Sequence, residues 1–257
     1  MVKSVDRAIR ILELLSENNK MGITEISKKL NLPKTTTFDI VSTLHERGIL
    51  EKDEENNRYF LGLKLFELGD AARANFELRK IAVPYLKELN SKLDETVHLT
   101  VRDDDEALYI ECFESTKRLR TYSVIGVRAP LYCTAVGKAL LAFLPDEEIK
   151  KIVRKKGFIR FTPNTITDEK RLFDEIKKIR ELGYSIDDVE HEEGVRCVGA
   201  PIRDHTGRVV ASISVSGPTQ RVTKSKVPQL AKIVMATAEE ISSRLGYKKT
   251  SLKVVSN

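Results

Sequence analysis

The sequence predicts an α+β chain built from two domains. Its 257 residues are long for one ordinary domain and comfortable for two. The first fifty residues carry short apolar stripes at helical spacing, followed by two brief strand-like runs. From Thr96 onward, alternating and β-branched apolar runs trade places with longer helical patterns, as in an antiparallel sheet flanked by helices.

In the first helix Val5, Ala8, Ile9, Leu12 and Leu15 recur at spacings of three and four and form one stripe, with Ser4 as N-cap. In GITEISKKLNL, Ile23, Ile26 and Leu30 share a face, and Asn31 tolerates the left-handed conformation that ends a helix. Pro33 suits the first position of a third helix, in which Phe38, Val41 and Leu44 make the core stripe before Gly48. ILEK, the polar turn DEENN and RYFLG then read as a hairpin with a five-residue tip.

Helix, helix, short turn, helix, hairpin is the order of a winged helix-turn-helix, whose third helix enters the major groove N-terminal end first. That order accounts for three consecutive threonines, Thr35, Thr36 and Thr37, at the start of the third helix. Threonine is an indifferent helix former because its branched Cβ loses rotamer freedom. At a groove, however, small hydroxyls and helix-terminal N–H groups can bind phosphate oxygens or base edges, and threonine methyls can touch a thymine methyl. Lys34 and Thr35 to Thr37 are therefore the candidate contacts on this helix. Arg58, at the hairpin tip, is a candidate phosphate contact, and Arg7 and Arg10 divide between surface and phosphate roles.

From Leu65 to Leu93 a helical stretch is interrupted by Pro84, and proline within a helix breaks or kinks it. We read a linker helix to about Phe76 and another from about Arg79, with Pro84 near its first turns. Leu65, Leu68, Ala72 and Phe76 of the linker could pair with a second subunit. The domain limits are then 1–64, a linker at 65–78, an effector-type domain at 79–250 and a tail at 251–257. Strands are expected at TVHLTVRD, ALYIECFE and RTYSVI, and helices at TAVGKALLAFLP, DEEIKKIVRKKG and DEKRLFDEIKKIRELG. Strands return at YSIDDVE, CVGAPIRD and RVVASISVSG, before a final helix from about Lys224 to Leu245. Ser214 and Ser216 are two apart on a strand and point one way, with Ile213 and Val215 on the other face.

Composition excludes several classes. No apolar run approaches 18 residues, so no membrane-spanning helix is expected, and Met1 to Ile11 lacks the apolar core of a secretory signal. Cys112, Cys133 and Cys197 are odd in number and widely spaced, which fits neither a disulfide framework nor a CxxC metal site and points to a reducing cytoplasm. Net charge is +6, but residues 1–80 supply only +1 of it and residues 81–257 the other +5. Charge alone therefore does not mark the N-terminal domain as a polyanion binder.

The chain resembles the IclR family of bacterial transcription regulators over roughly Lys3 to Tyr247. The stretches that carry the resemblance are SVDRAIRILELLSE, LPKTTTFDIVSTLHERGIL, YFLGLKLFELG, DETVHLTV, YCTAVGKALLAFLP and EEGVRCVGAPIRDHTGRVVASISVSGP. It implies an N-terminal winged helix that binds a double-stranded operator as a dimer or dimer of dimers. It also implies a C-terminal GAF-like domain that binds a small effector such as an organic, sugar or aromatic acid. The expected function is a ligand-responsive regulator of a catabolic operon, a repressor rather than an enzyme, with no cofactor and no membrane partner. The resemblance places effector contacts at Thr134, Ala135 and Val136, at Asp187, at Cys197, and at Ser214 and Ser216, with Gly126 to Leu131 at the border. One position departs from the family: Asp39 stands where its recognition helix carries Arg or Lys. A carboxylate there repels phosphate but can accept a hydrogen bond from cytosine N4, so either a neighbour such as Lys34 supplies the phosphate contact or the base preference differs.

Other chemistries fit less well. The GK of TAVGKAL lacks the glycine five residues earlier and the Ser or Thr after the lysine that a phosphate loop requires, since Tyr132 and Ala139 occupy those positions. The stretch reads instead as a helix N-terminus near Thr134 to Val136 that receives an effector carboxylate, the alternative being a glycine that merely allows close helix packing. Asp187 reads as a strand end or a pocket carboxylate, and Cys197 as a small buried hydrophobe on a pocket wall. His191, Cys197 and His205 match no zinc template, and a hydrolase built from them lacks a visible orienting group and oxyanion donors. Two rival functions remain distinct in kind: an enzyme with an accessory DNA domain, and a winged helix that docks to protein.

Overall fold

Three short helices and a hairpin converge on one small apolar core at the N-terminal end of a computed structural model, which describes residues 2–74, 77–121 and 125–248, and of 72–74 only the backbone. The chain divides into two units, residues 1–76 and 77–257. The first contains α1 (Lys3–Glu17), α2 (Ile23–Leu30), α3 (Lys34–Glu46), β1 (Leu50–Asp53), β2 (Arg58–Leu61) and α4 (Leu63–Ala74). Ile11, Leu15, Met21, Ile26, Val41, Leu50 and Tyr59 form its core.

The helix boundaries follow local chemistry, with corrections. α1 starts after Val2, so Ser4 lies inside the helix and is not its cap. Its inward residues are Ile11 and Leu15, whereas Val5 and Ile9 are 56% and 50% exposed; the inward face is turned from the expected one. α2 opens on a reciprocal cap in which the Gly22 N–H donates to the Glu25 carboxylate at 2.8 Å, and it ends at Asn31 with φ +51°. Pro33 is the cap of α3 rather than its first residue. The core stripe of α3 is Thr37, Val41 and Leu44, and Phe38 is 53% exposed. One residue is about 100° of helix, so a stripe that begins at Thr37 turns Phe38 out.

The hairpin is tighter than expected: Asp53 pairs with Arg58, which leaves a four-residue tip, Glu54 to Asn57, with Asn57 at φ +50°. A backbone bridge between Met21 and Tyr59, with N–H···O bonds of 3.0 and 2.8 Å, adds a third strand position to the wing.

The second unit opens with α5 (Glu77–Leu93), which runs on through Pro84 well beyond its first turn. Six antiparallel strands follow in the spatial order β5-β4-β3-β8-β7-β6. They are β3 (Thr96–Asp103), β4 (Glu106–Phe113), β5 (Arg128–Pro130), β6 (Ser185–Asp188), β7 (Val195–Arg203) and β8 (Val209–Pro218). Of the strand expected at RTYSVI, Arg120, Thr121 and Ile125 are not in a strand and Tyr122 to Val124 lie outside the described residues; β5 begins at Arg128. Between β5 and β6 come α6 (Ala135–Leu141), α7 (Asp146–Lys156) and α8 (Glu169–Leu182), and α9 (Val227–Arg244) closes the unit, starting later than expected.

Alternation along the central strands separates two layers. Val97, Leu99, Ile213 and Val215 enter an apolar core with α5 and α9. The intervening Thr96, His98, Thr100, Ser212, Ser214 and Ser216 are buried as well. Two serine hydroxyls fasten α6 against this sheet: Ser185 donates to the Ala135 carbonyl at 2.6 Å and Ser212 to the Val136 carbonyl at 2.9 Å. Gly137 and Gly199 permit the approach, because a Cβ on Gly137 would lie 2.5 Å from the Pro130 carbonyl and one on Gly199 would lie 2.9 Å from the Ala135 backbone. No helix of the described residues is long and apolar enough to cross a membrane.

Candidate nucleic-acid interface and effector cavity

The start of α3 divides the expected contacts. Lys34 and Thr35 are exposed and Thr36 is half-buried, while Thr37 is fully buried and donates from its hydroxyl to the Pro33 carbonyl at 3.1 Å. Thr37 is thus a core residue that satisfies its hydroxyl locally and is withdrawn from the candidate interface. Asp39 is exposed, and Thr35, Phe38, Asp39 and Ser42 fall at the i, i+3, i+4 and i+7 positions of the outward face.

Arg58 does not extend from the hairpin as expected. Its guanidinium donates to the Lys20 carbonyl at 3.0 Å and to Glu25 Oε1 at 2.9 Å, so it ties the wing to the start of α2. Its paired neighbour Asp53 binds Lys20 at 2.9 Å, and Glu54 and Glu55 at the tip are exposed carboxylates. Phosphate would meet that tip unfavourably. Arg7 is half-buried and Arg10 exposed on α1.

In the second unit a cavity of about 270 Å³ opens between the sheet, the first turn of α6 and the loop after β6. Thr134, Ala135, Val136, Asp187, Cys197, Ser214 and Ser216 all line it, although they come from four separate parts of the sequence. Of the expected border, Val127, Arg128 and Ala129 reach it, whereas Leu131 packs into the neighbouring apolar cluster. The chain reading missed His98, Tyr109 and His191, which also line the wall. His98 lies in TVHLTVRD on the face it shares with Thr96 and Thr100, the one signal that could have placed it.

Thr134 caps α6: its hydroxyl accepts from the Gly137 N–H at 3.0 Å and donates to the Pro130 carbonyl at 2.9 Å. The first-turn N–H groups of Ala135 and Val136 have no acceptor within a helix by construction, and both residues border the cavity. Across the cavity, Asp187 Oδ1 accepts from the Glu190 N–H at 2.7 Å and the His191 N–H at 3.4 Å. Beneath this loop the fully buried Lys138 places its ammonium 2.5 Å from Glu190 and 3.3 Å from Glu175.

Burial shifts the titratable groups of the cavity wall toward their uncharged forms. Burial lowers the His98 pKa to about 4, so the imidazole is uncharged at neutral pH, with Nδ1 3.2 Å from the Ser214 hydroxyl. Burial raises Asp187 to about 7, further helped by Glu190, while its two backbone donors and Lys138 pull it down. Burial also keeps the Cys197 thiol well above its ordinary pKa, and Ser216 donates a hydrogen bond to its sulfur at 2.9 Å. A thiol held protonated is a poor nucleophile, which speaks against the hydrolase alternative. Arg128, at the rim, is ion-paired with Asp103. His205 is not among the lining residues, and among the described residues no group of three or more His, Cys, Asp or Glu side chains is placed to hold a metal ion.

Both halves match family models. The IclR helix-turn-helix domain matches residues 4–54, and the bacterial transcriptional regulator IclR C-terminal domain matches residues 71–243. The chain is 38% identical over 246 residues to the HTH-type transcriptional regulator KdgR of Escherichia coli (strain K12), covering 96% of this chain and 94% of that protein. It is 34% identical over 247 residues to the HTH-type transcriptional repressor AllR of the same strain, covering 96% and 91%. A crystal structure of an IclR homolog from Microbacterium hydrocarbonoxydans, complexed with 4-hydroxybenzoate, superposes with a TM-score of 0.81 at 25% identity, covering 94% of this chain and 98% of that one. A helix-turn-helix whose α3 presents Lys34 and Thr35 outward, joined to a sheet domain that encloses a cavity and matched along both lengths, identifies the chain as a DNA-binding member of the IclR family of bacterial transcriptional regulators.

Proposed function

We propose that this protein is a cytoplasmic repressor of a catabolic operon, released from or tightened on its operator by a small carboxylate-bearing metabolite. The observation that carries the reading is the convergence of Thr134, Ala135, Val136, Asp187, Cys197, Ser214 and Ser216 on one cavity of about 270 Å³. That volume suits a molecule the size of an organic, sugar or aromatic acid. The carboxylate is received by the first-turn N–H groups of α6, and Asp187, Ser214 and Ser216 accept or donate hydrogen bonds to its hydroxyls. A ring-bearing acid bound to an IclR homolog supports this ligand class.

The operator is a pseudo-palindrome read by two copies of α3, with Lys34, Thr35 and Thr36 on phosphate and base edges and Asp39 on cytosine N4. A dimer or dimer of dimers forms through exposed apolar side chains of the first unit: Val2 at the cap of α1, Val5 and Ile9 on α1, and Leu63, Phe66 and Leu68 on α4. Of the linker residues expected in that contact, Leu65 is half-buried, while the Ala72 side chain and Phe76 lie outside the described residues. By linkage, an effector can shift DNA affinity only if it binds the two arrangements unequally.

The test has two arms. In the first, unfolding of the full chain is followed with 4-hydroxybenzoate and a panel of organic and sugar acids; a ligand at 100 times its Kd adds about 2.7 kcal/mol, and Asp187→Asn or Ser214→Val weakens that gain. No stabilisation by any acid removes the effector class. In the second, duplex affinity falls steeply with salt and is lost in Thr36→Glu. Affinity that survives Thr36→Glu removes the recognition-helix assignment.

A further inference from the structure

We propose that Phe38 is a base-reading residue of this regulator, which makes apolar contact with the 5-methyl group of a thymine in each operator half-site. The inference rests on the reading of α3 as the groove-entering helix and goes beyond it, because Phe38 belongs by type to a core. A phenyl ring that gains its stability from burial is instead 53% exposed here. Its turn of helix is fixed by what lies on either side. Thr37 is fully buried with its hydroxyl bonded to the Pro33 carbonyl, and Val41, one turn on, is fully buried in the core of the unit. The helix cannot rotate Phe38 inward without expelling both.

The ring therefore stands on the outward face between Thr35 and Asp39, one turn from Lys34. This placement makes the patch continuous with the DNA-contacting end of α3, and that continuity names its occupant. The major groove displays one apolar group, the thymine methyl, and phenylalanine is among the side chains that meet it. The neighbouring Asp39 can accept from cytosine N4, so adjacent side chains would read two pyrimidines by opposite means: one through its methyl, the other through its amine.

The experiment starts with the full-length protein and a library of random duplex DNA, from which bound sequences are enriched. Each thymine of the enriched duplex is then replaced singly by deoxyuridine, which removes only the methyl group. For the wild type, one thymine per half-site loses roughly fourfold in affinity, the scale of one buried methyl group. Phe38→Ala binds the thymine duplex more weakly by a similar factor and is indifferent to the same deoxyuridine, so the two losses do not add. Phe38→Leu retains part of the discrimination. Because the side chain is exposed, the thermal midpoint of Phe38→Ala stays with that of the wild type, which separates contact from folding.

Deoxyuridine losses that are equal in wild type and Phe38→Ala overturn the proposal while leaving the helix assignment standing. Intact DNA affinity with a changed oligomeric state in Phe38→Ala also overturns it and assigns the ring to a protein contact. A library in which no duplex is enriched overturns both the proposal and the DNA reading beneath it.

Discussion

His98 and Ser214 occupy paired positions on β3 and β8, and the imidazole Nδ1 lies 3.2 Å from the serine hydroxyl. Asp187 faces the same cavity from β6. Their protonation preferences are opposite. Burial holds His98 near 4, below its ordinary 6.5, so the stability it represents is present above pH 6.5 and lost as pH falls toward 4. Burial raises Asp187 from 3.8 to about 7, so its contribution is present below pH 3.8 and lost as pH rises toward 7. Between pH 4 and 6.5 the two slopes oppose each other. Asp187→Asn therefore loses stability more steeply than the wild type on acidification across that window, and His98→Asn less steeply. Denaturant midpoints measured along the pH series check this; parallel profiles for all three proteins refute it.

Lys138 supports the cavity from below. Burial opposes its charge, but Glu190 and Glu175 more than offset that and keep the ammonium protonated. Lys138→Met strands the Glu190 carboxylate in the interior and costs about 3 to 5 kcal/mol in the unfolding of the second unit. Adding Glu190→Gln removes the stranded charge and recovers most of that loss. Equal destabilisation of the single and double variants would show that the pair acts through packing alone.

Thr35 and Thr37 separate contact from folding. Thr37→Val removes the hydroxyl bonded to Pro33 and costs about 1 kcal/mol, with DNA affinity unchanged. Thr35→Glu stays within about 0.5 kcal/mol of wild-type stability, yet it sets a carboxylate against phosphate and lowers affinity by more than roughly tenfold. Thermal melts and duplex titrations on both variants distinguish the two roles, and a reversal of the pattern would mean that α3 is turned the other way.

Gly137 sets the height of α6 over the sheet. In Gly137→Ala the new Cβ would meet the Pro130 carbonyl and Thr134 Oγ1 at 2.5 Å and Leu131 Cα at 2.6 Å. Backbone cannot give way as a flexible side chain can, so the variant loses about 1 to 3 kcal/mol and its first turn shifts out of the cavity. Stability and effector affinity fall together. An alanine variant that matches the wild type in both would contradict the close approach.

Much of this protein was legible along the chain, because local rules govern it. Asn31 ends α2 in the left-handed conformation that its type tolerates, and strand alternation alone separates Ser214 and Ser216 from Ile213 and Val215. The family motifs marked seven cavity residues before any distance was known. What eluded the chain reading depends on partners far away in sequence. Thr37 and Phe38 compete for the inward phase of α3, and spacing cannot choose between stripes one residue apart. Arg58 finds Lys20 and Glu25, more than thirty residues earlier, and turns from a wing contact into a domain tie. His98 becomes a cavity wall only because β3 pairs with β8, which brings it to Ser214 across 116 residues.

The sequence by itself determined the helix-turn-helix and hairpin order of the first unit, the end of α2 at Asn31 and the alternating strand faces, since each follows from steric and hydrogen-bonding preferences within a few residues. Only the tertiary structure decided which threonine is buried, which phenylalanine is not, and how Lys138 can be fully buried beneath the cavity, between Glu190 and Glu175. Those outcomes depend on packing volume and on charges brought together from distant segments, and neither is encoded in any local stretch.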